Sequence, residues 1–113
     1  MTTTRVSDEP AFGYGRHRRP LRTRRDRDAE TVRDVLRRAG HREYGRPRDG
    51  FCVIDGGDGG LPFIVACASR TRRRTLSPTA ELAAYRRTLT AAGLRVEPAG
   101  AGDDPTYLKV WLA

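Results

Sequence analysis

The sequence predicts an α+β fold: a small antiparallel sheet of about four strands with two helices, in the order α-β-β-α-β-β, behind an arginine-rich arm. Three observations predict it. Two stretches repeat apolar residues at helical spacing, and each is closed by a glycine. Each is followed by a pair of short β-forming runs separated by Gly, Asp or Pro. Ahead of them, residues 1–27 carry few apolar side chains, chiefly Val6, Phe12, Tyr14 and Leu21. That is too little apolar surface to offset the entropy of ordering the segment, so 1–27 reads as a disordered basic arm. Residues 28–113 read as one small domain, which is all that 113 residues hold.

The first helix is expected over Asp28–Ala39. Asp28 offers its side-chain oxygen to the free backbone donors of the first turn. Val32, Val35, Leu36 and Ala39 then fall on one stripe, and Arg33, Asp34, Arg37 and Arg38 face water. Gly40 supplies the left-handed C-terminal cap. After the polar link HREYGRPRDG comes a hairpin: Phe51–Asp55, a turn over Gly56–Gly60, and Leu61–Ala68. With Cys52 set opposite Cys67, both faces of that hairpin are apolar. A sheet with one wet face alternates, so the hairpin is expected to be covered twice, by helices on both sides or by a second copy of the chain.

The second helix starts at the cap Ser77 with Pro78 at its first position, where a missing N–H costs nothing. Leu82, Tyr85, Leu89 and Ala92 form its buried stripe, and Gly93 ends it. Leu94–Glu97 is a short half-buried strand. Tyr107–Leu112 is the last, with Leu108, Val110 and Leu112 facing one way and Tyr107, Lys109 and Trp111 the other. Trp111 is expected in the core.

Charge carries the functional reading. The chain has 22 Lys and Arg against 14 Asp and Glu, a net +8. Lys109 is the only lysine, a usage that matches the codon bias of a GC-rich genome. Bias chooses arginine over lysine but adds no excess of base over acid. The excess sits in RHRRPLRTRRDR, residues 16–27, where seven arginines face one aspartate, +6 of the +8. Such a cluster repels itself unless an anion is near. Arg16, Arg18, Arg19, Arg22, Arg24, Arg25 and Arg27 are therefore candidate phosphate contacts. Phe12 and Tyr14, interleaved with them, suit stacking on bases. A second cluster, Arg70, Arg72, Arg73 and Arg74, lies just before the cap of the second helix. A helix N-terminus there, with four arginines beside it, makes a seat for phosphate.

The expected function is a non-enzymatic nucleic-acid-binding protein, DNA or RNA, holding phosphates through the arm and the loop. The alternative is a protein-interaction or dimerisation module for which the arm is a solubilising tail. A homodimer fits the doubly apolar hairpin. No cofactor, metal or small-molecule substrate is expected. GGDGG runs from strand to strand and lacks the Lys of a phosphate loop. His17, His41, Cys52 and Cys67 match no metal-ligand spacing. Asp55, Asp58, Asp103 and Asp104 beside glycine or proline are turn formers. With no apolar run long enough to span a bilayer and no signal-type stretch at the N-terminus, the expected compartment is the cytoplasm, with both cysteines reduced.

Overall fold

A computed structural model describes residues 9–45, 48–54, 60–69, 76–100 and 105–112. Helix α1 spans Arg24–Arg38 and α2 spans Pro78–Ala91; the strands are β1 (Gly50–Ile54), β2 (Phe63–Ala68), β3 (Arg95–Ala99) and β4 (Tyr107–Trp111). The α+β class and the element order are as the sequence predicts. The four strands form one antiparallel sheet in the order β1-β2-β4-β3.

The first helix begins a turn earlier than Asp28. Thr23 is the cap: its side chain accepts from the Asp26 backbone N–H at 3.1 Å, and the Asp26 carboxylate accepts from the backbone N–H of Thr23 at 3.2 Å and of Arg22 at 2.9 Å. Three backbone donors are thereby satisfied by two short side chains, a reciprocal arrangement that Asp28 alone cannot match. The boundary drawn at residue 28 thus falls inside α1, and Arg24, Arg25 and Arg27 belong to the helix. Upstream, residues 12–21 turn back on themselves. Phe12 N–H donates to the Leu21 carbonyl and Leu21 N–H to that of Gly13, both at 2.9 Å. Leu21 is buried beside α1.

The hairpin register is one residue from the Cys52–Cys67 pairing. Cys52 pairs with Ala66, Phe51 with Cys67, Val53 with Val65 and Ile54 with Ile64. A one-residue slip moves every side chain of a strand to the other face. The observed register puts Phe63 and Val65 on the same side as Phe51 and Val53, where all four are buried. The expected one would have set Phe51 and Val53 beside Ala66 and Ala68, leaving the volume of two large side chains unfilled.

Both helices pack on that one face, α1 on β1 and α2 across β2, β4 and β3. The core is Val32 and Leu36 of α1, Leu82, Tyr85 and Leu89 of α2, and the inward residues of the sheet, including Leu108 and Val110. Among the described residues no helix covers the other face. Cys52, Ile64, Ala66 and Ala68 are half-buried there and Ile54 is 54% exposed. Trp111 belongs to this open side, not to the core. Its ring lies 4.4 Å under the Arg95 guanidinium, and its Nε1–H donates to the Gly60 carbonyl at 3.3 Å. The cysteines divide between the faces and are free thiols, Cys67 against the core and Cys52 opposite it. Burial pushes the Cys52 thiol up.

The segment after α1 runs along the outer edge of β1. Tyr44 N–H donates to the Phe51 carbonyl at 2.8 Å, and Phe51 N–H to that of Arg42 at 2.9 Å. Gly50 makes this possible, since a Cβ there would overlap the Arg42 carbonyl. This pairing brings residues 42–45 back beside the end of α1.

Candidate nucleic-acid interface

Glu30 organises the region. It lies on the inner side of α1, 6% exposed, and its carboxylate accepts from the Arg16 backbone N–H (2.8 Å) and from the guanidinium groups of Arg19 (3.1 Å), Arg33 (3.2 Å) and Arg37 (3.1 and 3.2 Å). Burial alone would raise its pKa. The hydrogen bonds from Arg37 and from the Arg16 backbone, with the Arg37 charge and the Arg33 bond, outweigh burial and hold the carboxyl at about 2. Glu43 repeats the pattern in the link, accepting from Arg37 Nε at 3.0 Å and Arg19 at 3.1 Å. Arg33 reaches across to the Val53 carbonyl at 3.2 Å. Burial lowers the Arg33 pKa, with the Arg19 charge adding to it, whereas Arg37 is raised because the bonds to Glu30 and Glu43 overcome its burial.

Gly15 permits this packing. A Cβ there would overlap the Glu30 carboxylate, so only glycine lets the residue 12–21 hairpin approach α1 so closely. Beyond Gly15 the chain makes a tight turn over Arg16–Arg18, in which His17 and Arg18 both have φ of 59°. Left-handed backbone at two successive non-glycine residues is strained. It is held by the Gly15 N–H bond to the Arg19 carbonyl at 2.7 Å and by the two ties to Glu30.

This turn, the end of α1 and the link enclose a cleft of about 780 Å³. Arg16 and His17 of the turn, Gly40 and His41 after α1, and Arg42, Tyr44, Gly45 and Arg48 of the link line it, together with Arg19, Arg37 and Glu43. His41 is fixed by a 2.8 Å contact between its Nε2 and the Thr88 hydroxyl, and its ring packs edge-on against Tyr85. Arg19 and Arg37 are neutralised by Glu30 and Glu43. Among the described residues no carboxylate pairs with Arg16, Arg42 or Arg48. Among the described residues the cleft therefore presents three uncompensated guanidinium groups to solvent.

The arginines singled out from the sequence separate into distinct roles. Arg16 lines the cleft. Arg19 is committed to the two glutamates. Arg18 lies 5.4 Å over the Tyr14 ring, Arg25 3.8 Å over Phe63 and Arg27 5.3 Å over Phe12. One face of each of Phe12 and Tyr14 is thus occupied by an arginine of the same segment. Arg22 and Arg24 are exposed. Arg70, Arg72, Arg73 and Arg74 lie outside the described residues. Arg42 and Arg48 were missed, although the link HREYGRPRDG carries three arginines; only the return of the link to α1 brings them opposite Arg16.

Among the described residues no three His, Cys, Asp or Glu side chains lie close enough to hold a metal, and no helix is long and apolar enough to cross a membrane. No protein-family profile, curated protein or solved structure matches this chain.

Proposed function

We propose that this is a non-enzymatic nucleic-acid-binding protein of the cytoplasm, with the basic cleft as its principal contact. The observation that carries this reading is the convergence of Arg16, Arg42 and Arg48, unpaired among the described residues, on one concave surface. Guanidinium forks match phosphate oxygens and release condensed counterions when they bind. Exposed Arg22 and Arg24 add positive charge at the start of α1, apart from the cleft. These are phosphate contacts, which position the protein without reading sequence.

The test is a salt titration of binding to duplex and single-stranded DNA and RNA. Contacts to about five phosphates give a slope of log affinity against log salt of about −4 to −5. Reversing Arg16, Arg42 and Arg48 to Glu removes about three units of that slope. Reversing Arg86 and Arg87 on α2, exposed residues outside the cleft, leaves most of it. Truncation at residue 27 is no test, because it removes the Thr23 cap and the first turn of α1. Affinity that ignores salt, or that survives the triple reversal, sinks the reading.

One observation favours a second reading, self-association. The outward side chains of β1 and β2 (Cys52, Ile54, Ile64, Ala66 and Ala68) carry no charge, and among the described residues no helix covers them. A second copy laid on this flat face would bury it. Light scattering at high salt decides: a dimer that Ile64→Asp dissociates supports it, and a monomer at all concentrations removes it.

A further inference from the structure

The cleft differs from the surfaces that track a nucleic-acid backbone. Those are open grooves along which one phosphate follows another. Here the unpaired arginines, Arg16 from the turn and Arg42 and Arg48 from the link, line one concavity. An internal phosphodiester has one charge and a sugar on each side, so it fills such a space poorly. A terminal phosphate enters from one side only, has three acceptor oxygens and carries about −1.5 to −2 charge near neutral pH.

A second, independent feature points the same way. The backbone N–H groups of His17 and Arg18 have no acceptor among the described residues. They belong to the left-handed turn whose Arg16 and His17 line the cleft. Successive backbone N–H groups in a tight turn form a concavity that binds anions such as phosphate. The strain is retained because Gly15, Arg16 and Arg19 are each tied down around it.

We infer that the cleft takes a terminal phosphate of a nucleic-acid strand, so that the protein favours phosphorylated strand ends over strand interiors. This rests on the nucleic-acid reading above. Arg16, Arg42 and Arg48 fork onto the phosphate oxygens. Glu43, neutralised by Arg19 and Arg37, keeps those two side chains at the base without repelling the anion.

The experiment measures the full chain against four probes: a single-stranded oligonucleotide with hydroxyl ends, the same strand with a 5′-phosphate, the same strand with a 3′-phosphate, and adenosine monophosphate. At least one phosphorylated strand is expected to bind about tenfold more tightly than the hydroxyl strand, as for added charge-assisted hydrogen bonds. The mononucleotide, lacking the flanking contacts, binds more weakly than that strand. Arg42→Gln with Arg48→Gln abolishes the preference and retains weaker binding of all strands; both side chains are exposed and, among the described residues, unpaired, so folding is not at stake. Equal binding of phosphorylated and hydroxyl strands overturns the inference and leaves the nucleic-acid reading standing. A mononucleotide that binds as well as the phosphorylated strand also overturns it, in favour of a free-nucleotide site. Failure of every probe removes both readings.

Discussion

Glu30 and Arg37 meet as two parallel forks two turns apart on α1, with Arg37 Nη1 to Glu30 Oε2 at 3.1 Å and Nη2 to Oε1 at 3.2 Å. Both side chains are 8% exposed. A bidentate pair this sheltered holds its geometry far better than a surface ion pair. Around it are fastened the residue 12–21 hairpin, through Arg16 and Arg19, and the link, through Glu43. The pair therefore ties down two of the segments that line the cleft.

Replacing Glu30 by Gln leaves three guanidinium groups around a neutral amide. The expected loss is about 3 kcal/mol, the range for breaking a buried pair from one side. Urea unfolding of the two proteins at neutral pH measures it. A loss below about 1 kcal/mol is the size of a surface pair and contradicts the central place given to Glu30.

The same carboxyl sets an acid dependence. Its pKa is about 2 in the folded chain against 4.5 ordinarily. A lowered acid stabilises the fold fully above its unfolded pKa, and the contribution fades as pH falls through the folded value. The shift corresponds to at most about 3 kcal/mol, present at pH 6 and lost by about pH 2. Unfolding curves for the natural chain and Glu30→Gln should converge across that interval. Curves that stay parallel count against the assignment.

The start of α1 is open to a two-residue comparison. Thr23→Ala removes a capping oxygen and should cost about 1 kcal/mol. Asp28→Ala, inside the helix and paired only loosely with Arg27 at 3.6 Å, should change stability by less than about 0.5 kcal/mol. The reverse order in thermal melts would put the cap back at Asp28.

Arginines of one cluster should separate by what they measure. Arg25 packs on the Phe63 ring at 3.8 Å, so Arg25→Ala should cost about 1 kcal/mol of stability. Arg24→Ala should leave stability unchanged and weaken binding to a polyanion at low salt. If neither substitution moves stability, the stacking contributes nothing.

Adjacent residues of β2 test the register. Val65 is fully buried and pairs with Val53, whereas Ile64 is half-buried on the open side. Val65→Ala should cost about 2 kcal/mol and Ile64→Ala less than about 1 kcal/mol. The reverse ranking would restore the Cys52–Cys67 pairing.

The sequence by itself determined both helices, all four strands and their order. Those follow from local signals: the stripes Val32–Leu36 and Leu82–Leu89, the glycines after each helix, and the alternation of Leu108 and Val110. The capping box of Thr23 and Asp26 is also legible, since a Thr followed three residues later by an Asp can exchange side-chain and backbone hydrogen bonds at a helix start. The hairpin register was not legible, because Phe51–Ile54 and Phe63–Ala68 are apolar on both faces and no polar residue marks the wet side. It was decided by volume, since Phe63 and Val65 fill the space under the helices and alanines do not. The cleft was decided later still. Glu30 and Glu43 choose which arginines they neutralise by distances across 3 to 24 residues of chain, and no local pattern encodes the longer of these. Charge density is a property of sequence; which charges are left over is a property of packing.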